Sequence, residues 1–206
     1  VVELALRELA RMRDDRDGPR HDRVCVDLGT GSGAIALSLA LEGAPPGGRL
    51  EVWATDASTD ALDVARENLD ALARLDAEAA ARVRTVGGDW FGALPPTLLG
   101  RVDLVVSNPP YVGESDYPEL DPTVRGWEPR GALVAGSGTG GVEGMAAIEA
   151  IVVDAVRWLA PSGALIIEIA PSQAGAACAV ARRAGFGQVG CERDLAGRLR
   201  MLVARW

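Results

Sequence analysis

At 206 residues, 48% hydrophobic and 24% charged, the chain is long enough to bury one ordinary core and too apolar for intrinsic disorder. Its net charge of -8, with all 21 basic residues arginine, disfavours a nucleic-acid partner, whose phosphates need Lys and Arg to neutralise them. Cys25, Cys178 and Cys191 are far apart, no Cys-x-x-Cys pair occurs and His21 is the single histidine, so neither a zinc site nor a disulfide scaffold is expected.

Val1 to Met12 has the periodicity of an amphipathic helix, and the charged stretch Arg13 to Arg23, which holds a solvated and functionally silent His21, reads as a loop. The apolar run Val24-Cys25-Val26 then ends in Asp27 and a glycine-rich turn, the pattern of strand, loop and helix. The alternation recurs in strand Leu50 to Ala54, helix Ala57 to Leu75, strand Val83 to Val86 and strand Val102 to Val106, with the Ala-rich stretch Ala71 to Ala81 read as helix surface. Helix Met145 to Leu159 precedes the break Pro161-Ser162-Gly163 and a buried strand, Ala164 to Ile169. Helix Ser172 to Ala184 and strands near Gln188 to Arg193 and Arg198 to Arg205 complete the chain. Continuous apolar strands separated by helices predict an α/β domain, a mostly parallel sheet covered on both faces. Such sheets bind ligands beyond the carboxyl ends of their strands, which directs attention to the loops after Asp27, Ala54, Val86 and Val106. No run approaches the roughly 20 apolar residues of a membrane span and no secretory signal opens the chain, so the expectation is a cytoplasmic protein with no membrane partner.

In Asp27-Leu28-Gly29-Thr30-Gly31-Ser32-Gly33 the glycines fall where backbone must turn tightly and approach a ligand. The spacing is Gly-x-Gly-x-Gly, and an acid precedes it. A dinucleotide fold prefers Gly-x-Gly-x-x-Gly, which seats a pyrophosphate at the helix N-terminus, whereas this version suits a cationic, phosphate-free ligand. Alone it equally describes a tight turn with no ligand. Asp56 lies at the interval where a carboxylate accepts from two ribose hydroxyls, and since Ser58 is the better helix cap, the ligand reading is favoured. Asp89-Trp90 follows the third strand at the same edge, where the acid can accept from an adenine amino group and the indole can lie on the ring; a core role for the indole competes.

The sharpest signal is Asp103-Leu104-Val105-Val106-Ser107-Asn108-Pro109-Pro110-Tyr111, a buried strand that stops at Asn and two prolines. The prolines remove donors, stiffen the loop and leave carbonyls available. A planar acceptor NH2 can donate one hydrogen to the Asn108 side-chain oxygen and the other to the Pro109 carbonyl, while Tyr111 meets its planar group. Two fixed acceptors would orient such a poor nucleophile without a general base.

These segments, together with Gly88-Asp89-Trp90-Phe91, Glu128-Pro129-Arg130, Glu168-Ile169 and Asp194 to Arg198, strongly resemble the HemK/PrmC family of protein-glutamine methyltransferases, over Val24 to Arg205. The resemblance implies a Rossmann-like class I fold with a seven-stranded sheet and S-adenosyl-L-methionine as cofactor. It places Asp27, Gly29, Thr30, Gly31, Ser32, Gly33, Asp56, Asp89, Trp90 and Asn108 at the cofactor, and Asn108, Pro109, Pro110 and Tyr111 at the acceptor, with Asn108, Pro109 and Tyr111 as the catalytic set. It implies a peptide-chain release factor as the protein substrate, methylated on the side-chain amide nitrogen of a Gly-Gly-Gln glutamine, and no metal. Family members carry a helical N-terminal recognition domain; the expectation here is one methyltransferase domain over residues 1–206 without it. Two alternatives stay open: an adenine amine of nucleic acid held by the same loop, and a non-catalytic cofactor-binding module. Glu128 reads either as a site acid or as an ion-pair partner of Arg125 or Arg130, Glu168 as cleft-facing or solvated, and Gly136 to Gly144 as a surface loop with the composition of a lid.

Overall fold

The computed structural model describes residues 1–14, 22–45 and 48–206. His21 and most of the charged stretch around it lie outside the described residues. Seven strands form one sheet: β1 (Arg23–Leu28), β2 (Leu50–Asp56), β3 (Val83–Gly87), β4 (Val102–Ser107), β5 (Leu159–Glu168), β6 (Gln188–Arg193) and β7 (Leu199–Arg205). Their order is β3-β2-β1-β4-β5-β7-β6, with β7 antiparallel to both its neighbours and the other pairings parallel.

Between and before these strands lie α1 (Val2–Asp14), α2 (Ala34–Glu42), α3 (Thr59–Leu75), α4 (Ala77–Ala80), the short α5 (Pro122–Trp127) and α6 (Arg130–Leu133), then α7 (Ala146–Trp158) and α8 (Ala174–Ala184). The inner strands are mostly buried because both faces are covered, whereas β3 and β6 at the sheet edges are more exposed, and the two-residue period of the inner strands divides the core. Leu104, Val106, Ala164 and Ile166 meet Leu9 and Met12 of α1 and Leu39 of α2 on one face. Val105, Leu165 and Ile167 meet Ile148, Ile151 and Val152 of α7 and Val180 of α8 on the other.

Two details depart from the sequence reading. The stretch Pro161-Ser162-Gly163 is not a break before a strand but an excursion within β5: the four residues between Leu159 and Ala164 lie opposite the single Asp103 between Val102 and Leu104 of β4. The Ala-rich stretch is divided by Asp76, whose carboxylate accepts from Ala79 N at 2.9 Å and starts α4, so that Ala79 and Ala80 are buried rather than displayed. An ion pair joins the two ends of the described chain: Arg205 Nε donates to Glu8 Oε2 at 2.8 Å, and Glu8 is 4% exposed. Among the described residues no helix is long and apolar enough to cross a membrane.

Candidate active site

The parallel strands β1, β2, β3 and β4 run in register, so Leu28, Asp56, Gly87 and Ser107 end at one edge of the sheet. The glycine loop, Asp56, Asp89-Trp90 and Asn108 to Tyr111 are therefore neighbours, although they come from four separate stretches of chain.

Gly29, Gly31 and Gly33 all have positive φ, of 67°, 58° and 84°, which L residues with a Cβ rarely adopt. Three side chains pin the loop they form. Asp27 Oδ2 accepts from Thr30 Oγ1 at 2.6 Å and from Ala36 N at 3.1 Å; Asp56 Oδ2 accepts from Gly31 N at 2.9 Å; Asn68 Nδ2 donates to Ser32 O at 2.9 Å. Asn68, on α3, carried no sequence signal for this role.

Asp27 faces the underside of its own loop. It is fully buried, and its second oxygen, Oδ1, has no hydrogen-bond partner among the described residues. Burial pushes its carboxyl up to about 6, against the hydrogen bonds from Thr30 and Ala36, with the Asp56 charge adding to the rise. Asp56 Oδ1 accepts from Ser58 N at 2.9 Å, and Ser58 caps α3 through Ala61 N. The capping role thus falls to Ser58, and the partly exposed Asp56 retains lone pairs toward solvent. Asp89 is exposed and makes no side-chain cap to the turn that follows it. Trp90 holds the one positive φ of a described non-glycine residue, 42°. Its ring stands against the glycine loop: a Cβ built at Gly29 would lie 3.3 Å from Trp90 Cζ3. A Cβ at Gly31 would meet nothing within 4 Å, so the loop opens to solvent there.

The fourth stretch is fixed to the first by Ser107, whose buried Oγ donates to Leu28 O at 2.7 Å. Asn108 is exposed, Pro109 is buried, and Pro110 and Tyr111 are partly buried. The Tyr111 hydroxyl donates to Glu168 Oε1 at 3.1 Å, and Arg200 lies 5.4 Å from the centre of the Tyr111 ring, with its guanidinium 3.8 Å from Glu168. Burial, then the Glu168 carboxylate, holds the phenol proton more tightly than usual, so Tyr111 stays a donor to Glu168. Glu168 accordingly belongs to the site edge. Arg200 was missed by sequence reasoning, since nothing local marks a β7 arginine as a ring contact. Glu128 is exposed, while Arg130 pairs with Glu114 and Arg125 donates to Pro118 O, so the ion-pair reading of Glu128 gives way to these other partners. Among the described residues no group of three His, Cys, Asp or Glu side chains is placed to hold a metal ion.

A parallel sheet in the order 3-2-1-4-5-7-6 with a reversed β7, and a glycine loop and acids at its carboxyl edge, defines a Rossmann-like methyltransferase of class I. Solved structures agree on the fold: a methyltransferase from Pyrococcus furiosus (TM-score 0.59, 19% identity, covering 96% of this chain and 82% of that one) and a ribosomal protein L11 methylase from Lactobacillus delbrueckii subsp. bulgaricus (TM-score 0.59, 20% identity, covering 98% and 77%). The profile of the Methyltransferase small domain family matches residues 9–119, and the chain belongs to that family. It is also similar to release factor glutamine methyltransferases: that of Bordetella pertussis is 44% identical over 197 residues, 96% of this chain and 63% of the relative. That of Burkholderia pseudomallei is 47% identical over 174 residues, 84% of this chain and 56% of the relative. The chain therefore spans less than two thirds of the length of these relatives.

Proposed function

We propose that this domain transfers a methyl group from S-adenosyl-L-methionine to the side-chain amide nitrogen of a glutamine, in the Gly-Gly-Gln loop of a peptide-chain release factor. The observation that carries the reading is the junction of two motifs. Ser107 is in register with Leu28 and bonded to it, so Asn108 begins where the glycine loop begins.

The donor set fits the cofactor. Asp56 and Asp89 bring carboxylates rather than cations to the loop edge, which suits ribose hydroxyls, an adenine amine and a positively charged methionine moiety better than a phosphate. Gly29, Thr30, Gly31, Ser32 and Gly33 would supply the backbone cradle, Asp56 the ribose contact, and Asp89 and Trp90 the adenine contacts. Asp27 would act from beneath, by holding Thr30 and the first turn of α2. When bound, the cofactor supplies a methyl group already activated by its sulfonium.

The chain's own task is then to position the acceptor. The Asn108 side-chain oxygen and the Pro109 carbonyl accept the two amide hydrogens, which fixes the nitrogen lone pair and favours loss of amide planarity. Pro109 and Pro110 hold those acceptors still, and Tyr111 presents its ring to the planar amide. Similarity to release factor glutamine methyltransferases at 44% and 47% identity supports glutamine as the acceptor. The acidic composition weighs against adenine in nucleic acid.

The test is methyl incorporation from labelled S-adenosylmethionine into purified release factor, with tRNA, rRNA and DNA in parallel. Label at the Gly-Gly-Gln glutamine is the expected result. Label confined to nucleic acid would transfer the Asn108 to Tyr111 loop to adenine chemistry.

A further inference from the structure

We infer that Gln173 is a positioning residue for the acceptor loop, acting through the main chain of Tyr111; the inference rests on the proposed role of Asn108 to Tyr111. Gln173 ends a short turn, Pro171–Gln173, that joins β5 to α8, and its side chain is 2% exposed. A buried carboxamide is costly unless its donors and acceptor are used. Here they are all used: Oε1 accepts from Ala170 N at 2.9 Å, while Nε2 donates to Tyr111 O at 2.7 Å and to Glu143 O at 3.1 Å.

The two carbonyls belong to different segments. Tyr111 ends the acceptor loop, and Glu143 lies near the end of the glycine-rich loop that leads into α7. One amide group therefore clamps both to the carboxyl end of β5. The joint leaves no spare room: at Gly144, with φ of 71°, a Cβ would collide with the Tyr111 carbonyl and with Gln173 Nε2. The Glu143 carboxylate reinforces the same join by accepting from Ser115 N at 3.1 Å and Ser115 Oγ at 2.6 Å. Tyr111 is thus held at its carbonyl by Gln173 and at its hydroxyl by Glu168. Gln173 is too deeply buried to meet a substrate, so its effect reaches the acceptor through the position of the loop.

The chemistry of the clamp makes a specific demand: two hydrogens from one group, aimed at two carbonyls. Leucine keeps roughly the volume and supplies neither hydrogen. Glutamate keeps the shape, but its ionised form faces the carbonyls with like partial charge, and its protonated form restores a single donor.

The experiment has a readout that needs no substrate. The chain has two tyrosines, Tyr111 and Tyr117, so ring signals of protein labelled at tyrosine are assigned by one Tyr117→Phe variant. Gln173→Leu is expected to shift or broaden the Tyr111 ring signals more than those of Tyr117. On a Gly-Gly-Gln peptide, kcat is expected to fall about tenfold or more, since small displacements of positioned reactants cost up to about a hundredfold. Cofactor affinity should stay within about twofold of wild type, the glycine loop being unaltered. Gln173→Glu is expected to regain activity relative to wild type as pH falls, and it serves if the leucine variant fails to fold. A wild-type protein inactive on the peptide would count against the glutamine reading, while the ring signals would still decide the role of Gln173. Unmoved Tyr111 signals, or moved signals with kcat unchanged in an active protein, would overturn the inference.

Discussion

Ser107 Oγ donates to the Leu28 carbonyl at 2.7 Å, a bond that spans 79 residues of sequence and locks the last strand residue before Asn108 to the last before Gly29. Removing that hydroxyl leaves a buried carbonyl without this donor. Ser107→Ala is expected to destabilise the fold by about 1 kcal/mol and to lower turnover several-fold, without loss of sheet content. Denaturant midpoints and steady-state rates check it, and unchanged values in both would show that the join supports neither stability nor turnover.

Asp56 holds Gly31 N and Ser58 N and is the group proposed to receive the ribose hydroxyls. Hydrogen bonds to a charged group contribute about 1.5–3 kcal/mol each, so the loss of even one of them in Asp56→Ala should weaken cofactor binding by about tenfold to a hundredfold. Calorimetric titration with the cofactor measures this directly. Equal affinity would remove Asp56 from the site.

The Asp27 carboxyl, raised by burial from an ordinary value of 3.8 to about 6, makes stability depend on pH. An acid whose folded pKa is raised binds its proton more tightly in the native state, so its contribution is most favourable below about pH 4 and is lost as pH rises through about 6. Asp27→Asn, which cannot ionise, should therefore gain stability relative to wild type across that window. The gain is of the order of 3 kcal/mol, at about 1.4 kcal/mol for each pKa unit. Paired denaturation curves at pH 4 and pH 7 test the direction. A difference that does not vary with pH would mean that Asp27 keeps its charge throughout.

Cys178 on α8 and Cys191 on β6 bring their sulfurs to 3.1 Å, whereas Cys25 is fully buried. Burial, then the neighbouring Cys178, pushes the Cys191 thiol up to about 12, so little thiolate forms at neutral pH and spontaneous oxidation is slow. A thiol oxidant such as diamide is expected to close this pair, with loss of two hydrogens, and to leave Cys25 titratable only after unfolding. Three titratable thiols after treatment would contradict the pairing.

Much of this was legible in the sequence, and the boundary has physical causes. β1, β2 and β4 are predominantly apolar, with Glu51 and Asp103 the charged residues inside β2 and β4, so their existence and their shared carboxyl edge followed from pattern alone. The β5 excursion at Pro161 could not, because strand pairing on both sides of a turn depends on β4 and on Gly163, whose carbonyl accepts from Trp206 N. The sequence set Asp27 beside a cationic ligand; the fold turns its carboxylate under the loop, where Thr30 and Ala36 hydrogen-bond to it. Gln173 was invisible for another reason. Its partners are backbone carbonyls 62 and 30 residues away, and a carbonyl leaves no mark in the residue type that bears it.

Asn108 is proposed to orient the acceptor, with cofactor binding carried by the glycine loop, Asp56 and Asp89-Trp90. The most direct measurement compares Asn108→Ala with wild type for methylation of release factor at saturating S-adenosylmethionine, alongside the cofactor dissociation constant of each. Cofactor affinity is expected to stay close to wild type while kcat falls by about a hundredfold or more, the scale of losing one fixed group that stabilises the transition state. Equal turnover in the two proteins would contradict it.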